Sequence, residues 1–319
     1  MHGVTFGAVA DRFLQDEMPD HHSTQVSYKS LLKNHIKPKW GDFRLDHIRT
    51  MAVEGWLNSL ALAPKTRSNI RSLMHSIWKC AVRWELIEMR SNPMALVRVK
   101  GGSKRKARPG ILNATEFGAI VVRIPEPYRS MVIVAQCLGL RASEIVGLQW
   151  DDFNFDELWV LIERGVVHGR VGDAKTEYSR DRVPIDPALA EVLIRHRELA
   201  QVEGSPWVFA NPKTGRPYHQ DSIQQTHIRD AGLKAGLRFP VGWHTFRHTY
   251  RSLLDSSGAP MTVQQQLMRH ASIQTTMNVY GQAMPEGKRE ANSKVVEMVL
   301  GPKTPEKAAD AQVNAAISA

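Results

Sequence analysis

His244, Arg247, His248 and Tyr250 stand within two helical turns in the stretch HTFRHTY, residues 244 to 250. Residues four apart share a helix face, so His244 and His248 bring two imidazoles together in a way that can hold a divalent metal. Metal-assisted hydrolysis at such a pair uses a glutamate directly after the first histidine as general base. That place is Thr245 here, and the cation of Arg247 lies near where a dication would sit. A metal is therefore not expected, which leaves an anion site or a plain polar helix surface.

Three further stretches carry reactive residue types. In LGLRASEIVGLQW, Arg141 follows a glycine between two apolar runs, where a charge is seldom buried without a partner; a salt bridge to Glu144 is its simplest explanation. In GDAKTEYSRDRVPI, Lys175 falls between a glycine-containing turn and a strand edge, either as a solvated hairpin lysine or as a group reaching a ligand. In LMRHASIQTTMNVYG, His270 lies at a helix end and Tyr280 on the next short helix, where a lone tyrosine is usually core.

The elements around these residues separate into two groups. Phe6, Val9, Ala10, Phe13 and Leu14 follow one helical face, and Ile70, Leu73, Met74, Ile77, Trp78, Ala81 and Val82 repeat it over three turns. VSYKSLLKNHIKPKWG reads as another helix closed by Pro38 and Gly41, and TMAVEGWLNSLA as a fourth. Residues 1–97 thus form a helical domain. RVKGGSKRKARPG, 98–110, holds Lys100, Lys104, Arg105, Lys106 and Arg108 with no acid and reads as a basic linker, preferred as a DNA-contacting strap over a mere tether. Residues 111–300 start with helices at ATEFGAIVVRI and YRSMVIVAQCLGL, switch to β-rich runs over ELWVLIERGVVHGRVGDAKTEYSRDRVPI, and return to helices at DPALAEVLIRHRELA, where Asp186 caps. Residues 301–319 are a polar, small-residue tail. The fold class is mainly α with a small antiparallel β-sheet in the second domain.

Composition sets the partner. With 42 Lys+Arg against 32 Asp+Glu the formal charge is +10, and such a balance favours a polyanion because binding releases condensed counterions. No apolar run approaches the roughly 18 residues of a bilayer helix, the amino terminus lacks the order of a secretory signal, and the only cysteines are Cys80 and Cys137. A cytoplasmic protein is expected.

Taken in order, Arg141 in GLRASE, Lys175 in AKTEYSR, His244 and Arg247 in HTFRHT, His270 in MRHASIQTT and Tyr280 in NVYG give a chain that resembles the tyrosine recombinases, also called the phage integrase family. The resemblance covers nearly all of residues 5 to 290, and the helical amino-terminal unit looks like that family's core-DNA-binding domain. One departure stands in the motifs: the residue before His270, commonly glycine in the family, is Arg269 here. The extra arm-binding domain of many phage members is not expected.

The resemblance implies a site-specific recombinase that cleaves and rejoins duplex DNA through a 3′-phosphotyrosyl intermediate, without metal or nucleotide cofactor. Tyr280 would be the nucleophile, His244 the base, His270 a donor to a phosphate oxygen, and Lys175 the donor to the leaving 5′ oxygen. Arg141 and Arg247 suit a phosphorane because planar guanidinium forks bond two oxygens at once and keep their charge. His248 would face the core, and Tyr250, the rival nucleophile, would be packed, lying inside an amphipathic helix with Leu253 and Leu254. The partners implied are double-stranded DNA and a homo-tetramer on two duplexes, with the segment after Tyr280 docking on a neighbouring protomer. The alternatives are a type IB topoisomerase-like relaxing enzyme and a regulator that has lost cleavage.

Overall fold

In the computed structural model, which describes residues 3–88, 92–102, 109–173, 181–200 and 202–269, the chain divides into two units, Met1–Arg108 and Pro109–Ala319. Helix α1 (Phe6–Asp16) opens at Thr5, whose hydroxyl oxygen accepts from the Ala8 N–H at 3.3 Å. It buries Phe6, Val9, Ala10 and Phe13, the stripe expected from their spacing. Helix α2 (His22–Leu31) runs through a π-helical turn, Leu32–Ile36, into α3 (Lys37–Trp40).

Pro38 therefore does not end this helix, as its type predicts. It sits in the first turn of α3, behind a widened turn in which the Lys37 N–H reaches back to the Leu32 carbonyl, and the helix stops only after Trp40, at Gly41. Helix α4 (Thr50–Ser59) adds Val53 and Leu57 to the core. The long α5 (Pro64–Arg83), with proline in its first turn, contributes Ile70, Leu73, Met74, Ile77, Trp78 and Ala81. Trp78 meets Phe6 with ring centroids 6.3 Å apart.

The second unit begins with α6 (Ala114–Val121), capped reciprocally by Asn113 and Glu116 at 2.8 and 2.9 Å. Helix α7 (Tyr128–Leu138) is the central core element: Met131, Val132, Val134, Ala135 and Leu138 are all buried. It stops at Gly139, whose φ of +59° is left-handed, and α8 (Ala142–Ile145) follows at once. Strands β1 (Phe153–Asn154), β2 (Trp159–Ile162), β3 (Arg164–Val167), β4 (Arg170–Asp173) and β5 (Asp181–Pro184) come next.

The β region is two antiparallel pieces rather than one sheet: β1-β2-β5, with Val160 opposite Val183, and a separate hairpin β3-β4. His168 and Gly169, both at positive φ, make the hairpin turn. Helix α9 (Pro187–Ala200) is capped by Asp186, whose Oδ1 accepts from the Ala188 N–H at 2.9 Å. Helix α10 (Gln220–Ile223) passes through a second π-helical turn, Gln224–Ile228, into α11 (Arg229–Lys234).

Helix α12 (Trp243–Ser256) lies along α7, burying Trp243 and Phe246 in the same core, and α13 (Met261–Met268) packs on α12. Among the described residues no helix is long and apolar enough to cross a membrane.

Candidate active site

The site is built where three helix ends meet inside the second unit. Arg141 is the residue before α8, in extended backbone, and its N–H donates to Glu144 Oε2 at 2.8 Å, so the side chain that caps α8 also fixes the arginine's main chain. Arg141 Nη1 donates to Glu144 Oε1 at 2.5 Å. The simplest explanation of Arg141 from sequence, this salt bridge, is thus present. It does not use up the residue, because the Arg141 side chain stays 28% exposed while Glu144 is at 5%.

Arg247 projects from α12 and is buried. Its Nη1 donates to the Gly139 carbonyl and its Nη2 to the Met268 carbonyl, which ties the end of α7 to the end of α13. Burial first, then the like charge of Arg141, works against its charge and brings its pKa down to about 9. It remains a cation at neutral pH, in surroundings that favour an added anion.

His244 lies one turn earlier on α12. Partial burial, followed by the charges of Arg247 and Arg141, holds its pKa below the ordinary histidine value, so the neutral imidazole prevails at pH 7. His248 is half-buried, with its ring centroid 6.3 Å from that of His244. The four-residue spacing puts both on one face. Tyr250 packs as expected, its ring lying so close to Gly139 that a Cβ there would stand 2.1 Å from Tyr250 Cδ1, whereas Leu253 is 53% exposed.

Sequence reasoning missed a third guanidinium. Arg269 has a fully buried side chain, adopts the left-handed backbone at φ 49°, and donates from Nη2 to Glu144 Oε2 at 2.8 Å. Burial pushes the Glu144 carboxyl up, but Arg269, Arg141 and Arg247 together outweigh that and leave it below the usual carboxylate range. The only signal in the sequence was an arginine where a related motif has glycine.

Three guanidiniums around one carboxylate leave the cluster with excess positive charge, the electrostatics of a phosphate site. Arg141, His244 and Arg247 are thus brought together. Lys175, His270 and Tyr280 lie outside the described residues, as do Lys104, Arg105, Lys106 and Arg108. Lys100 is exposed, and its main chain is pinned to the first unit: its N–H donates to Asn58 Oδ1 at 3.2 Å and its carbonyl accepts from Arg67 Nη2 at 3.4 Å.

Two family models match the chain: the phage integrase family over residues 111–286, and the phage integrase N-terminal SAM-like domain over residues 5–61. The first spans more than half of the chain, and the chain belongs to the phage integrase family. It is a tyrosine-type site-specific recombinase, and neither relaxation without exchange nor loss of cleavage is favoured by its relatives. The putative prophage phiRv2 integrase of Mycobacterium tuberculosis (strain CDC 1551 / Oshkosh) is 26% identical over 285 residues, covering 85% of this chain and 72% of that protein. The Tn1549 transposon integrase in complex with a circular intermediate DNA superposes with a TM-score of 0.77 at 16% identity, covering 91% of this chain and 99% of that one. A lambda integrase tetramer bound to a Holliday junction gives 0.69 at 20% identity, over 89% of this chain and 80% of that one. The two-domain, mainly helical fold with small antiparallel sheets is that of these integrases.

Proposed function

We propose that this recombinase cleaves duplex DNA with Tyr280 as nucleophile and the Arg141–His244–Arg247 cluster as the seat of the scissile phosphate. The observation that carries the reading is the meeting of two arginines and a largely neutral histidine beside a single carboxylate that offsets only part of the surrounding positive charge. The Tyr280 oxygen attacks phosphorus while its proton passes to His244. The bond from phosphorus to the 5′ oxygen breaks, and that oxygen takes a proton from Lys175. The guanidiniums and His270 bind the non-bridging oxygens, where negative charge grows. The 3′-phosphotyrosyl bond is then attacked by a 5′ hydroxyl of a partner strand, which returns the tyrosine and rejoins DNA with no outside energy source. The residues proposed need neither metal nor nucleotide.

In this reading residues 1–97 are the core-DNA-binding domain, 98–110 a basic linker, 111–300 the catalytic domain and 301–319 a tail. Exchange between two duplexes requires four protomers, with the segment after Tyr280 docking on a neighbour and the enzyme working on DNA in the cytoplasm. The lambda integrase tetramer on a Holliday junction supports the stoichiometry. The test is Tyr280→Phe, which lacks only the nucleophilic oxygen: it should bind target DNA as the parent does and form no protein-linked strand. A covalent complex persisting in that variant would move the role to another residue, Tyr250 first.

A further inference from the structure

We infer that Arg269 is a positioning residue that draws the Glu144 carboxylate away from Arg141 and so sets how much of Arg141's charge is left for the scissile phosphate. The inference rests on the reading above that Arg141 holds that phosphate. Its basis is the geometry of one carboxylate shared from two sides. Glu144 Oε2 accepts from Arg269 Nη2 at 2.8 Å and from the Arg141 main-chain N–H at 2.8 Å, while Oε1 accepts from Arg141 Nη1 at 2.5 Å.

A carboxylate this buried would, with a single cation beside it, neutralise that cation. Divided between two, it compensates each only in part. Among the described residues the Arg269 guanidinium makes one further hydrogen bond, a long one of 3.3 Å from Nη1 to the Leu267 carbonyl, and its side chain is 0% exposed.

The backbone argues in the same direction. Arg269 sits at φ 49° and ψ 51°, a conformation natural to glycine and disfavoured for a side chain with a Cβ. An arginine held there against its backbone preference is held by what its guanidinium does. Glycine would relieve the backbone and remove the charge, which makes the two effects separable.

Arg269→Gly, Arg269→Gln and Arg269→Lys, compared in the full chain, separate them. Formation of the covalent complex at saturating DNA should slow about tenfold in the glycine and glutamine variants, the loss typical of one charged hydrogen bond. Lysine, which keeps the charge, should recover most of the rate. Melting temperatures should rank differently, glycine at or above glutamine, so that activity does not follow stability. On a duplex carrying methylphosphonate at the scissile position, where a neutral methyl replaces one anionic oxygen, the gap between parent and Arg269→Gly should narrow.

A parent-like Arg269→Gly, a lysine variant as slow as glutamine, or an equal loss on both substrates, as from a displaced His270, would each overturn the inference. Arg141→Ala serves as the control. If it cleaves like the parent, the phosphate site itself is misplaced; if it is slow while Arg269→Gly is not, only the role of Arg269 falls.

Discussion

The guanidinium of Arg247 donates to the carbonyl oxygen of Gly139, two residues before Arg141, so α12 carries one of the two arginines proposed to bind phosphate and anchors the segment that carries the other. Arg247 therefore has two jobs, and its variants should separate them. Arg247→Lys keeps a charge but cannot bond the Gly139 and Met268 carbonyls as a planar fork while meeting phosphate. We expect covalent-complex formation to fall by on the order of 10²–10³ in Arg247→Lys and Arg247→Ala, with DNA affinity changed far less. Single-turnover cleavage of fully bound DNA checks this; a loss confined to affinity would make Arg247 an ordinary phosphate ligand.

His244 titrates below the ordinary histidine value of 6.5, first from partial burial and then from Arg247 and Arg141. A base acts when neutral, so the cleavage rate should hold as pH falls through 6.5 and drop only at a lower midpoint. The same shift has a stability sign: an unfolded histidine takes up its proton first, so this contribution is present above 6.5 and lost as pH falls through the folded pKa. A rate profile with an acid midpoint at or above 6.5, absent in His244→Gln, would contradict the assignment.

Lys175 is testable by changing the leaving atom. Lys175→Ala should be crippled on normal DNA, because an alkoxide leaves poorly unprotonated, yet approach the parent rate when sulfur replaces the bridging 5′ oxygen, since a thiolate needs little protonation. Arg141→Ala should stay slow on both. Without selective rescue by sulfur, the general acid lies elsewhere.

Gly139 accepts no side chain. Its φ is +59° and a Cβ would stand 2.1 Å from Tyr250 Cδ1, so Gly139→Ala should destabilise by at least ~1–2 kcal/mol from the backbone alone. Thermal unfolding and cleavage should fall together, because Tyr250 cannot yield without moving α12. An unshifted melting temperature would mean the α7 end relaxes freely.

Replacing Lys104, Arg105 and Lys106 with glutamine should weaken binding to all duplexes alike and flatten log K against log salt by about 0.9 for each phosphate no longer neutralised. An unchanged slope would reduce the linker to a tether.

What could be read from the chain beforehand follows from the range of each interaction. The stripes of α1 and α5 and the Asp186 cap are encoded within a few residues, and the helices appear where the spacing places them. Arg141 and Arg247 were legible as a pair through their local motifs. Strand pairing was not: β4 folds back on β3 while β5 crosses to β2, a choice that alternation does not determine. Pro38 was misread because a π turn lets a helix continue into proline. The Arg269–Glu144 pair spans 125 positions, and nothing local at either end announces the other.

The gathering of Arg141, Arg247 and Arg269 around Glu144 also limits how this enzyme can adapt. Cations that repel one another in the DNA-free chain are the same ones proposed to work on DNA, so stability and activity are opposed there. Heat resistance and cleavage therefore pull against each other at these positions, and a charge removed from the cluster to ease repulsion would be a charge missing from the site proposed to hold the scissile phosphate.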